Sequence, residues 1–255
     1  MNLHQWRYPM AAGALAALLS SATTRASIMG FGDFSQFTIN QDDAGAAPTF
    51  PAPGSIQLVN GAGEARSIFA NTPQGVAQFT ASFTYQVLNA GQDEGAAFIL
   101  QNDPRGASAV GPGNHGFNGI TNSAEVTFNI GENQSGVFTD GVGYNGLRGF
   151  SLSPVNLASG DPINVQFSFS GSTMTESLQD TVTSASFSNS FTLPVPSIVG
   201  GDSAYVGITA GSGADSVNQI FSNFQYTSTS PVPEPASVGL FMAGAALCMR
   251  RRRLA

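Results

Sequence analysis

Phe79-Thr80-Ala81-Ser82-Phe83-Thr84-Tyr85-Gln86-Val87 decides the fold class, because apolar and polar residues alternate strictly along it and an extended chain then gathers every apolar side chain on one face. A helix would scatter the same residues around its circumference. Ile163, Val165, Phe167 and Phe169 repeat the device, as do Ala204, Val206 and Ile208. Clusters of Gly, Asn, Ser and Pro separate these runs, and the pairs Asp140-Gly141 and Gly171-Ser172 are turn signals. No stretch of 27–230 carries helical spacing of useful length. Many short strands with turns between them predict an all-β sandwich or jelly roll. No linker or fixed-period repeat interrupts this region, so it reads as one domain. The phenylalanines, nineteen in the chain, are core residues first.

About two hundred residues suffice to bury a core without cross-links, and none is available, since the only cysteine, Cys248, lies in the C-terminal tail. Lysine is absent, and 27–230 holds Arg66, Arg105 and Arg148 against fifteen carboxylates. Such a surface repels phosphate, which argues against nucleic acid and leaves neutral ligands such as sugars, or divalent cations. Two histidines, His4 and His115, allow neither a Ser/His/Asp arrangement nor a multi-histidine metal cage. A glycosidase needs two carboxylates converging on one groove. Glu125 has Thr127 and Asn129 as neighbours on its strand face, and Asp93 and Glu94, if extended, point to opposite faces. The expectation is a non-catalytic protein. His115 reads as a residue of a glycine-rich loop, and Arg105 as a structural partner for a carboxylate after the turn at Asn102-Asp103-Pro104.

Both ends of the chain read as delivery signals. Arg7 precedes an apolar run over 10–19, and the small residues Ser21, Ala22, Thr24 and Ala26 follow, which is the anatomy of a secretory signal peptide over 1–26, with cleavage after Ala22 or Ala26. At 231–255, Pro233-Glu234-Pro235 is followed by an apolar run over 236–249 and by Arg250, Arg251, Arg252 and Arg253. As a helix that run would rise about 21 Å, short of the roughly 30 Å hydrocarbon core, so it fits a transient inner-membrane anchor with its arginines on the cytoplasmic side. The tail resembles the PEP-CTERM sorting signal of Gram-negative bacteria. That resemblance implies export, processing near Pro-Glu-Pro by an exosortase, and release or attachment at the cell surface.

Three separated stretches carry a second resemblance. They are Asp93-Glu94-Gly95-Ala96-Ala97-Phe98 with Asn102-Asp103-Pro104-Arg105, continuing through Gly111-Pro112-Gly113-Asn114-His115-Gly116-Phe117 into Ala124-Glu125-Val126-Thr127-Phe128-Asn129, then the strand, turn and strand over 167–175, and finally the pair 204–213 and 219–226. Together they resemble the legume-type lectin domain in its bacterial form. The resemblance implies an all-β, concanavalin-A-like jelly-roll sandwich of two antiparallel sheets, with sugar held by loops at one end of the concave sheet. It places the family's sugar-binding carboxylate on Glu94, the backbone donor of the glycine loop near Gly113, and the amide on Asn133. Gly131 stands where the family has an aromatic platform, so a stacking ring must come from elsewhere, Phe117 or Phe138. Thr127 and Asn129 replace the acids of the family's metal site, which leaves calcium conceivable but the site eroded, and Asp140 reads as a turn residue rather than a ligand. The implied partner is an exopolysaccharide or cell-surface glycan. The competing expectation is a structural surface or biofilm-matrix protein that keeps the fold without a working sugar site.

Overall fold

The computed structural model describes residues 27–91, 95–113, 115–142 and 149–228. The leader over 1–26, the tail from 231, and Glu94 lie outside them. Among the described residues the strands are β1 (Ser27–Gly30), β2 (Phe37–Gln41), β3 (Ser55–Val59), β4 (Ala65–Ala70), β5 (Gln74–Gly75), β6 (Gln78–Leu88), β7 (Gly95–Gln101), β8 (Ser123–Asn129), β9 (Gln134–Thr139), β10 (Gly149–Ser151), β11 (Ile163–Ser170), β12 (Thr173–Asp180), β13 (Ser186–Thr192), β14 (Ser203–Gly211) and β15 (Asn218–Ser228). No helix among these residues is long and apolar enough to cross a membrane, and the apolar run over 236–249 is not among them.

The strands form two antiparallel sheets. One has seven strands in the order β1-β15-β6-β11-β12-β13, with β3 also on β15; the other has eight in the order β10-β9-β8-β7-β14-β4-β2, with β5 on β14. Period two does the work the sequence promised. Along β11 buried and exposed residues alternate without a break, and β6 turns Phe79, Ala81, Phe83, Tyr85 and Val87 inward. Their partners across the sandwich include Ala96, Phe98 and Leu100 of β7, Ala124, Val126 and Phe128 of β8, and Ala204, Val206 and Ile208 of β14. Aromatic rings fill the space between the sheets: Phe98 stacks on Phe167 with centroids 4.7 Å apart, and Tyr85 on Phe221 at 4.9 Å. At Gly171 the backbone enters the left-handed region (φ 66°), so the Gly171-Ser172 pair closes the β11–β12 hairpin as expected.

The eight-stranded sheet departs from the half-wet pattern. All seven residues of β7 and all seven of β8 are buried. Its outer face is roofed by the chain between β7 and β8, under which Phe69, Ala97, Ile99, Ala109, Phe117, Ile120 and Phe138 make a second apolar cluster.

Candidate functional site

The roof is held by a charged hub at its base. Arg105 donates from Nε to Oδ1 of Asp103 at 2.7 Å and from Nη2 to Oδ2 at 3.0 Å, and its remaining donors reach the carbonyls of Val110 (2.7 Å) and Gly119 (3.0 Å). Asp103 also accepts from the N–H of Thr121 at 2.9 Å. With the Arg105 guanidinium first among the causes, these donors hold the Asp103 carboxyl well below the usual carboxylate range. Arg105 is therefore the structural partner its position after the turn predicted. The far end of the roof is pinned by close backbone approach: a methyl group built on Gly116 would lie 2.6 Å from the carbonyl oxygen of Ala210 and 2.7 Å from that of Arg66.

Two of the three expected ligand residues, Gly113 and Asn133, fall toward one end of this sheet. Glu94 lies outside the described residues, but its neighbour Gly95 opens β7 opposite Asn129 of β8. A methyl group on Gly95 would lie 2.2 Å from Nε2 of His115 and 2.4 Å from the carbonyl oxygen of Phe128, so the glycine loop sits directly against the start of β7. Gly113 is in that loop with φ at 93°, its carbonyl accepting from the N–H of Gly116 at 3.0 Å. Asn133 closes the β8–β9 turn with φ at 50°. Its side chain donates from Nδ2 to the carbonyl of Val155 at 2.8 Å and accepts at Oδ1 from the N–H of Leu157 at 2.9 Å. That amide thus pins the loop after β10.

One sequence expectation changes at this face, and two titratable residues prove to be buried. Phe117 and Phe138 are buried in the second apolar cluster, 0% and 7% exposed, so neither offers an open ring for stacking. His115 lies in the glycine loop as its sequence position indicated, but it is buried there, 4% exposed, facing the edge of Phe117 (centroids 5.9 Å), and burial lowers its pKa to about 4. Glu125 shares its strand face with Thr127 and Asn129 as read from the sequence, but that face is covered: Glu125 is fully buried, and burial raises its pKa to about 7 despite hydrogen bonds from Ser123 and Gly141. The hydroxyl of Ser123 lies within reach of both the Ile120 carbonyl and the Glu125 carboxyl, and it has one hydrogen to give. When that hydrogen goes to Ile120, Glu125 must itself be the donor, which requires the protonated carboxyl that burial favours. Period two alone could not announce this, because it reports a strand face and not what lies over it.

The donors on β8 do not suit a divalent cation. Thr127 gives its hydroxyl hydrogen to the carbonyl of Gly136 at 3.3 Å, and Asn129 uses its Oδ1 to accept from the N–H of Glu132 at 2.8 Å. Asp140, in a left-handed turn with Gly141, accepts from the N–H of Asn122 at 3.1 Å. Among the described residues no three His, Cys, Asp or Glu side chains cluster as metal ligands do.

Two antiparallel sheets packed face to face make a jelly-roll sandwich, and the solved structures similar to it have the concanavalin-A-like fold of the legume lectins. A winged bean acidic lectin complexed with methyl-α-D-galactose superposes with a TM-score of 0.64 at 13% identity, over 80% of this chain and 98% of its own. Arcelin-5, a lectin-like defence protein from Phaseolus vulgaris, gives 0.59 at 16% identity over 79% and 97%. The metal-free form of lectin I-B4 from Griffonia simplicifolia gives 0.61 at 15% over 80% and 98%. No family profile and no curated protein matches the sequence.

Proposed function

We propose that the chain is an exported, non-catalytic carbohydrate-binding protein of lectin type, sorted by its tail to the cell envelope or an extracellular polysaccharide matrix. The observation that carries this reading is the meeting, at one end of the eight-stranded sheet, of the start of β7 beside Glu94, the glycine loop with Gly113, and the β8–β9 turn with Asn133. Glu94 would supply an acceptor, Gly113 a backbone N–H and Asn133 its remaining amide hydrogen to neighbouring sugar hydroxyls. Sugar complexes among the structural neighbours support the class of ligand. The non-catalytic side rests on the two carboxyls raised to about 7. Glu125 lies beneath the roof on the outer face of the sheet, and Glu176 lies between the sheets, bonded to Ser135, so they cannot act as a pair on one substrate.

A glycan array that includes bacterial exopolysaccharides tests the binding. The purified protein is expected to bind neutral glycans with or without chelator, and Glu94→Ala to weaken binding about ten- to a hundredfold, the loss of one charge-assisted hydrogen bond. Silence of the parent protein across the array would favour the structural matrix reading, which the commitment of the Asn133 amide to the 152–157 loop already supports.

The sorting proposal has a separate readout. Replacing Pro233, Glu234 and Pro235 together by alanine is expected to leave an uncleaved precursor in the inner membrane, detected as a heavier band in a pulse-chase of the fractionated envelope. Normal maturation of that variant would remove the exosortase from the account.

A further inference from the structure

We propose that the outer face of the seven-stranded sheet is a further ligand surface, a groove across the strands that takes an extended neutral polysaccharide. Strand register lays the outward side chains of this face in straight rows. In one row Gln225 of β15 stands beside Ser82 of β6, followed by Gln166 of β11, Ser177 of β12 and Ser188 of β13. The next row reads Ser222, Thr84, Asn164, Gln179 and Ser186, and a third, from Thr227 to Ser190, has the same make-up. Each position in these rows is Ser, Thr, Asn or Gln. Neighbouring strands lie about 4.8 Å apart, so the five strands give a track about 19 Å long, enough for several sugar units.

These rows hold no charged side chain, although 27–230 carries fifteen carboxylates against three arginines. A sheet face that only had to stay wet would be the natural place for some of those carboxylates, because ionised groups are best solvated at the surface. The two carboxyls of β12, Glu176 and Asp180, are instead buried, at positions that alternate with the rows. A face of hydroxyls and amides both donates and accepts at close spacing, as the hydroxyls of a neutral sugar chain do. It offers nothing to pair with a phosphate or a carboxylate, and the net negative charge of the protein repels polyanions. A neutral polyhydroxyl chain is the polymer whose chemistry it matches.

The first two rows line a groove of about 610 Å³ that reaches from Asn223 to Ser186 and Ser188, and a smaller one of about 280 Å³ lies over the third row at Thr80, Ser168 and Thr175. Asn223 sits in the bulge of β15 with φ at 56°, and its Nδ2 donates to the Thr84 hydroxyl at 3.4 Å. Thr84 in turn gives its hydrogen to Oδ1 of Asn164 at 3.1 Å, which fixes that amide and leaves its Nδ2 as a donor. Thr175 and Ser190 share one hydrogen bond of 2.8 Å, so one of their two hydroxyl hydrogens stays available. Gln166 and Gln179 are exposed along the groove between these fixed groups. No aromatic residue stands in the rows, so each sugar unit is held by hydrogen bonds and binding accumulates with the length of the chain. The surface shares only its ligand class with the loop site around Gly113 and Asn133, and it stands or falls separately.

Affinity electrophoresis of the purified chain in gels containing hydroxyethyl cellulose, galactomannan or dextran tests the surface. At least one of these neutral polymers should retard the parent protein, more strongly as the polymer is lengthened at equal sugar concentration, and acidic alginate should not. Gln166→Ala with Gln179→Ala removes two exposed amides and should raise the dissociation constant for the polymer about ten- to a hundredfold, the loss of two hydrogen-bonding groups, with the circular dichroism spectrum unchanged. Glu94→Ala should keep the length-dependent retardation, and the double variant should keep any binding of short oligosaccharides, which separates this surface from the loop site. Retardation of the double variant equal to that of the parent, or none of the parent by any of the three polymers, would overturn the proposal. So would a dimer of the parent in sedimentation equilibrium that the double variant dissociates, since the face would then belong to a second copy of the chain.

Discussion

Replacing Arg66 with alanine is expected to cost about 3–5 kcal/mol, the penalty for leaving buried charges without their partner, out of the roughly 5–15 kcal/mol that holds a domain folded. Arg66 is fully buried at the start of β4. Its Nη2 lies 2.7 Å from Oε1 of Glu64 and 3.1 Å from Oδ1 of Asp43, its Nε donates to Oδ2 of Asp43 at 3.2 Å, and Nη1 donates to the carbonyl of Leu58 at 3.0 Å. The two carboxylates are 5% and 3% exposed, so solvent cannot take over the role of the guanidinium. They also organise the backbone, Glu64 accepting from the N–H of Asn60 at 2.7 Å and Asp43 from that of Gly45 at 2.7 Å. Urea unfolding followed by circular dichroism measures the loss. Combining Arg66→Met with Asp43→Asn and Glu64→Gln should recover most of it, because the amides keep acceptors for those N–H groups and no uncompensated charge remains. A single variant as stable as the parent would show that water reaches the site.

The second large effect is a loss of stability as pH rises from acid to neutral. Glu176 is wholly buried between the sheets, flanked along its own sheet by Phe167 and Asn189 and touched from the other by the Ser135 hydroxyl at 2.8 Å. Burial raises its pKa from 4.5 to about 7, and Glu125 is raised to the same level. A carboxyl with a raised pKa holds its proton in the folded state where the unfolded chain has released it. Stability therefore falls as pH rises from about 4.5 through about 7 and is level above that, by something on the order of 3 kcal/mol for each group. His115 acts in the opposite sense, its depressed pKa costing stability as pH falls from 6.5 to about 4. Glu176→Gln keeps an acceptor for Ser135 and cannot ionise. The difference between its stability and that of the parent should be small at pH 4.5 and favour the variant progressively up to pH 7.5 in urea titrations at stepped pH; a constant difference would place the Glu176 carboxyl in contact with water.

Much of this molecule was legible in the chain itself, because local rules act at short range. Alternation along 79–87, 163–169 and 204–208 set which side chains face inward, and the Gly171-Ser172 pair marked a hairpin, since each signal depends on residues two apart. The arginine after Asn102-Asp103-Pro104 met the carboxylate two residues before it for the same reason. The delivery signals proposed at 1–26 and 231–255 rest on composition and order alone, and both lie outside the described residues.

What remained hidden depends on which segments cover which. Nothing around Glu125 says that the chain over 103–122 will fold across β7 and β8, bury that carboxyl and use Phe117 and Phe138 as core in place of a sugar platform. Arg66 finds Asp43, in the loop between β2 and β3, through a meeting set by strand order. Periodicity dictated the strands and their faces because those follow from a backbone repeat of two residues; burial, pairing of charges and the identity of the edges were decided by tertiary structure, because they depend on contacts between residues far apart in the chain.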